Sequence, residues 1–227
     1  MKYSYLLTLL LLSTVHLFAQ QSPLIDEARM LERQFKTMDA IKKYESLVAN
    51  DPANIPVLVR LSELYCMEGQ SIAKEVESKS LYMLASKYAE KAIALDSNRA
   101  DVQYANAMVI GKMIEYASIK DKTRLTMQLR EKTDKALAID PNFTKAIYTL
   151  AKWHDEVAAL NPAARAALKF MNKGFPAASA EEAITLYETA GKKQTILAFF
   201  GPLMNLYRQK GEYQKMIDLG LNVINIE

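Results

Sequence analysis

Beyond its first nineteen residues the chain carries one histidine, His154, and one cysteine, Cys66. That inventory restricts the chemistry. A zinc site made of His and Cys needs three or four converging ligands, and no second histidine remains to share a metal. His154-Asp155-Glu156 sets three ionisable side chains in a row, but consecutive helical residues point about 100° apart and diverge. The run reads as a polar face following Trp153. A Cys66/His154 nucleophile–base pair lacks a recognisable oxyanion loop, and its members fall two repeats apart. The carboxylate pairs Glu181-Glu182 and Asp155-Glu156 suit solvation, or pairing with Lys and Arg one turn away. Gly-rich phosphate loops, Walker sequences and G-x-S-x-G elbows do not occur. No catalytic residue, metal ligand or cofactor is expected, and the chain reads as a non-enzyme.

The elements that carry these residues are helices. Gly and Pro number only seven each, and Val and Thr are sparse beside Ala, Leu, Lys and Glu, the residues that lose least on entering a helix. Three helical stretches close on nearly the same residues: Ala49-Asn50-Asp51-Pro52-Ala53-Asn54, Ala94-Leu95-Asp96-Ser97-Asn98 and Ala138-Ile139-Asp140-Pro141-Asn142. The shared Asp recurs after 45 and then 44 residues (51 to 96 to 140). Self-similarity at such a period marks stacked helical hairpins, here longer than a tetratricopeptide repeat of about 34 residues. The expected fold is an all-α, tetratricopeptide-like helical-hairpin solenoid of about five hairpins, some elongated by insertions.

The first repeat fits without a gap from Gln21 to Asn54. Ala28 and Ala40 mark close helix approach, and Tyr44 and Leu47 fill the groove between the helices. The second opens at Ile55, with Gly69 expected to stop its first helix. About eleven residues, 70 to 80, are inserted before the second helix, close to three turns and therefore in phase. In the third, Gln103 to Ser118 reads as one long helix and Leu125 to Ile139 as its partner, joined near Asp121. The fourth runs from Thr144 to Leu160. Asn161 then caps a short helix begun by Pro162 and reaching Met171, ended by Lys173-Gly174-Phe175-Pro176. Ser179 and Glu182 form a capping box for the next helix. The last places Phe200, Leu203, Tyr207 and Gly211 on one helix and Tyr213, Met216 and Val223 on the next. No linker interrupts residues 20–227, which read as a single domain.

In repeats of this kind the first helix of each hairpin lines the concave groove, through its second, fifth, ninth and twelfth positions. These are Asp101, Tyr104, Met108 and Gly111 in the third unit, and Lys145, Tyr148, Lys152 and Asp155 in the fourth. Tyr and Met are adaptable contact residues, so the partner-binding candidates are Tyr104, Met108, Tyr148, Lys152 and Asp155. Packing between neighbouring repeats is the competing role for Tyr104 and Tyr148. Ile25, Arg29, Val59, Glu63 and Tyr104 stand where chaperone-tail binding domains place a carboxylate clamp, and the clamp is missing. The groove suits an extended peptide, a partner helix or an apolar ligand.

Lys135-Ala136-Leu137-Ala138-Ile139-Asp140-Pro141-Asn142, Leu150-Ala151-Lys152-Trp153 with Val157-Ala158, Arg165, and Phe175-Pro176-Ala177-Ala178-Ser179 leading into Glu182-Ala183 follow a recognisable order. On these residues the chain, from about Leu81 to its C-terminus, resembles the regulator of microtubule dynamics family. The resemblance implies elongated tetratricopeptide hairpins and a scaffold role. Microtubule binding is not carried over, because the relatives it belongs to are intracellular.

Residues 1–19 are the reason. Lys2, the apolar run Leu6 to Leu12 and Ala19 before Gln20 read as a secretory signal peptide. The stretch from Tyr3 to Phe18 is short for a membrane span. A retained anchor is the alternative, since Leu17 is larger than the residue preferred before the cleavage point, and only then is membrane contact expected. Cleavage removes Lys2 from a net charge of +3, and clusters such as Lys120-Asp121-Lys122-Thr123-Arg124 are broken by acids, so nucleic acid is not the expected partner. One cysteine allows no intramolecular disulfide. The expectation is an exported scaffold, periplasmic or envelope-associated, that binds a protein or peptide. The alternative is a carrier of an apolar small molecule or lipid, suggested by Tyr104 to Tyr116, whose Met108, Val109, Ile110, Met113 and Ile114 cover more than one stripe.

Overall fold

A computed structural model describes residues 23–171, 175–194 and 197–224. The leader and Lys173-Gly174 lie outside these. Eleven helices and no strand occur among the described residues: α1 (23–33), α2 (Thr37–Asn50), α3 (Ile55–Ser71), α4 (Glu75–Leu95), α5 (Ala100–Ile114), α6 (Ile119–Ile139), α7 (Thr144–Ala159), α8 (Pro162–Met171), α9 (Ala180–Lys193), α10 (Leu197–Gln209) and α11 (Tyr213–Ile224). They fall into two compact units, one reaching Asp96 and the other starting at Ser97.

The recurring Asp-Pro-x-Asn owes its role to local hydrogen bonds. After α2, the Asp51 carboxylate accepts from Ala53 N–H (3.3 Å), and Asn54 caps α3 by accepting from Val57 N–H (3.3 Å). After α6, Asp140 accepts from Asn142 N–H (2.8 Å). Asp51 and Asp140 therefore close their turns with their own side chains, a local use of a short carboxylate next to a helix end.

In the first unit, α1 pairs with α2 and α3 with α4. Ala28 and Ala40 are fully buried, and Tyr44 and Leu47 fill the space beside them. Leu58, Leu61 and Leu64 on α3 face Tyr82, Ala85, Ala89 and Ala92 on α4, all buried. Gly69 does not stop α3, which runs on to Ser71; its role is steric, because a Cβ there would lie 2.6 Å from the Tyr82 ring. The insertion extends α3 past Gly69 and starts α4 at Glu75. Polar groups tie the hairpins together. Glu32 accepts from the Tyr44 hydroxyl (2.7 Å) and from Arg60 Nε (2.9 Å), and Arg60 also pairs with Glu63 (2.5 Å). Burial pulls the Glu32 carboxyl upward, but the hydrogen bonds from Arg60 and Tyr44 outweigh it and hold it below the usual range. Glu45 accepts from both Tyr65 and Tyr88 hydroxyls (2.8 and 3.0 Å). Burial and then that carboxylate push the Tyr88 hydroxyl up to about 12.

In the second unit, α5 pairs with α6, α7 with α9, and α10 with α9 and α11. The third hairpin corrects the sequence reading. α5 ends at Ile114, and Ser118, expected inside a long helix, instead caps α6 by accepting from Asp121 N–H (3.2 Å). α8 follows its reading, with Asn161 accepting from Ala164 N–H (2.8 Å). Gly211 belongs to the turn between α10 and α11, at φ +72°, rather than to α10. On α11, Tyr213, Ile217 and Leu221 recur every four residues and are all exposed.

Candidate functional site

α5 and α7, first helices of neighbouring hairpins, pack side by side and carry all five candidate residues. Tyr104 and Met108 sit one turn apart on α5, and the Tyr104 hydroxyl donates to Met108 Sδ (3.8 Å). The Tyr104 ring meets Phe143 edge-on, with centroids 5.4 Å apart, and the Lys145 ammonium lies 5.6 Å from its centre. Aromatic edge, thioether and cation thus surround one half-buried ring. Phe143 gave no signal in the sequence, since it lies just outside its helix.

Tyr148 on α7 has a different fate. Its ring stacks on Phe199 (4.4 Å) and tilts against Tyr187 (5.5 Å), so it is wedged between α9 and α10. Burial raises its hydroxyl pKa. Lys152 is exposed and pairs with Glu156 (3.4 Å). Asp155 is half buried; burial first, then the Glu156 charge, raises its carboxyl, while Lys152 pulls it down. The α7 face therefore offers a cation and an acid held readier than usual to take a proton, and α5 offers an aromatic and a sulfur.

His154 is not part of a solvated polar face. It is buried, with Arg130 Nη1 3.2 Å from Nε2 and the Ser179 N–H 3.4 Å from Nδ1, two donors of which a neutral ring accepts one. The expected capping box is thereby half replaced: Ser179 Oγ accepts from Glu182 N–H (3.1 Å), while the Ser179 amide turns to His154. Arg130 also lies over Trp153, 4.7 Å from its ring centre, and binds Asp134 (2.8 Å). Trp153 Nε1 donates to the Thr126 carbonyl (3.1 Å). This group fastens α6, α7 and the start of α9. Ile110 and Ile114, part of the apolar surface of α5, pack against the Trp153 cluster, which absorbs much of what suggested a lined cavity. Among the described residues no three His, Cys, Asp or Glu side chains gather as metal donors.

A cleft of about 520 Å³ lies between α9, α10 and α11, with Phe200, Leu203 and Leu219 among its lining residues. At its side the Tyr207 hydroxyl donates to Glu188 (2.6 Å). Nothing in the sequence pointed to it, because it depends on how helices from two hairpins meet.

Hairpins of this geometry, with alanines at the helix crossings and aromatics between them, define a tetratricopeptide-like α-solenoid. Two solved MamA structures share the fold: one at TM-score 0.51 and 16% identity, covering 87% of this chain and 92% of that one, the other at 0.50 and 15%, covering 89% of each. YrrB, described as a TPR protein with an unusual peptide-binding site, aligns at TM-score 0.46 and 15% identity over 90% of this chain and 85% of its own. Curated protein sequences give no significant match. The family model for regulator of microtubule dynamics protein 1-3 matches residues 24–226, and the chain belongs to that family. The match reaches well upstream of Leu81, where the resemblance was first legible.

Proposed function

We propose that the chain is a non-enzymatic, exported scaffold whose α5–α7 face holds an extended peptide or a segment of a partner protein. The observation that carries this reading is the Tyr104 group: an aromatic ring, half exposed, bordered by Met108, Phe143 and Lys145 on the groove-side helices. Such a ring gives contact area at little entropic cost, and its hydroxyl and the nearby Lys152 and Asp155 supply polar recognition. The family's scaffold fold supports it. The leader supports export.

A photo-crosslinking residue at position 104, 108 or 152 is expected to trap a protein partner in the producing cell, and the same residue on the exposed outer position Lys135 is not. A Tyr104→Ala/Met108→Ala/Lys152→Ala variant should lose the adduct formed from position 155 while keeping its helical circular dichroism. Equal adducts from positions 104 and 135 would sink the groove reading. Export has its own check: the mature chain should begin at Gln20, and a retained residue 1 would replace export by anchorage.

A further inference from the structure

The first and last hairpins turn by the same device. Between α10 and α11, Gly211 N–H donates to the Arg208 carbonyl (3.1 Å) and Glu212 N–H to the Tyr207 carbonyl (2.9 Å). These are the two bonds of a Schellman turn, with Gly211 in the left-handed position. Between α1 and α2, Phe35 N–H donates to the Glu32 carbonyl (2.9 Å) and Lys36 N–H to the Leu31 carbonyl (3.0 Å). Here the left-handed position, φ +58°, is filled by Phe35. A Cβ in that conformation crowds the following carbonyl, so glycine is the usual occupant and a bulky side chain there is strained. The two backbone bonds hold this conformation, but among the described residues no side-chain packing rewards it, because the Phe35 ring is 93% exposed.

The surroundings of the ring are specific. Met30 and Met38, 49% and 42% exposed, flank the same turn from the last residues of α1 and the first of α2. Arg33 and Lys36, on either side of Phe35, are exposed and have no carboxylate partner among the described residues. The nearby acids are engaged elsewhere: Glu32 by Arg60, Asp26 by Arg29 and Asp39 by Lys42. A strained, solvent-facing aromatic with two exposed cations that pair with no carboxylate among the described residues, and two thioethers beside them, suits a partner that is apolar at its centre and anionic around it.

We propose that the α1–α2 turn is a membrane-contact tip: Phe35 enters the headgroup region of an anionic bilayer surface, Arg33 and Lys36 pair with lipid phosphates, and Met30 and Met38 border the ring. Size decides between a bilayer and a protein. One hairpin turn falls far short of the roughly 800 Å² per partner that a stable protein interface buries. A bilayer interface accepts single aromatic rings and rewards each basic residue near an anionic surface. The tip belongs to the first unit and the α5–α7 face to the second, and the inference holds whether or not that face binds a peptide.

The test uses the full chain and vesicles of phosphatidylcholine with or without phosphatidylglycerol. In the F35W variant the added indole reports locally against the buried Trp153, so partitioning through residues 1–19 cannot imitate it. Its emission should shift to the blue, and brominated lipid should quench it, only when phosphatidylglycerol is present. F35G relieves the left-handed strain and should melt no lower than the parent; a lower melting temperature would show that the ring is packed rather than displayed. R33Q/K36Q should weaken the anionic-lipid dependence of the F35W signal by about 30-fold, from about 1 kcal/mol per cation. An emission blind to both vesicle types, an R33Q/K36Q pair that leaves the phosphatidylglycerol dependence of the F35W signal unchanged, or a shift elicited by a protein in place of lipid would each overturn the assignment.

Discussion

His154 faces two hydrogen-bond donors, the Arg130 guanidinium and the Ser179 amide, and a neutral imidazole has one ring nitrogen free to accept. A second proton would remove that acceptor and set a cation beside Arg130. Burial first, then the Arg130 charge, hold the pKa below its ordinary 6.5, while Glu182 and Asp134 oppose the shift. The unfolded chain therefore takes the proton first. The contribution of His154 is complete above the unfolded value and drains away as pH falls through 6.5 toward the folded one. Urea midpoints should fall as acid is added across this window, and His154→Gln should flatten that part of the profile; an equal slope in the variant would refute the assignment. The two groove tyrosines should separate as well. Tyr148→Ala empties the space between Tyr187 and Phe199 and is expected to cost about 2–4 kcal/mol, whereas Tyr104→Ala, losing chiefly an edge contact, should cost nearer 1 kcal/mol, both read from denaturant midpoints. The repeat pattern treats these tyrosines as equivalent. Only their partners, Phe199 and Tyr187 for one and Phe143 and Lys145 for the other, tell packing from display.

Between elements, the closest approach is α3 against α4. Gly69→Ala would gain helix propensity of about 1 kcal/mol, yet its Cβ would press on the fully buried Tyr82 ring, and the net expectation is a loss of about 1–3 kcal/mol in chemical denaturation. No loss would mean that the ring has room to move. Ser179→Ala should cost about 1 kcal/mol by removing the α9 cap. Helix limits were legible where a local signal was read as one: Asn161 and Pro162 start α8, and Asp51 and Asp140 close their helices with their own carboxylates, whereas Gly211, placed on α10, ends it. They were misread at Gly69 and Ser118, where an unmarked insertion made the boundary depend on packing. Gly69 looks like a stop and is a contact; Ser118 looks like helix and is a cap.

At the scale of the molecule, the chain has two compact units and a single tryptophan, Trp153, in the second. Repeat arrays are stabilised by neighbours, so damage need not spread far. Gly69→Ala is expected to lower the urea midpoint seen by circular dichroism while leaving the Trp153 fluorescence transition in place; coincident shifts would show one cooperative unit. The helical-hairpin class was determined by the sequence alone, because hydrophobic period, small residues at crossings and Asp-Pro-Asn turns are written within a few residues of where they act. The α5–α7 face was half legible, since repeat position names which side chains share a face. Which of them stay open was decided by the tertiary structure. Phe199 reaches Tyr148 from α10, Arg130 and Ser179 reach His154 from α6 and the start of α9, and Phe35 stands in solvent where its counterpart in the last hairpin is glycine. Those outcomes rest on contacts between residues far apart in sequence, or on a backbone angle, and no residue type or spacing encodes them by itself.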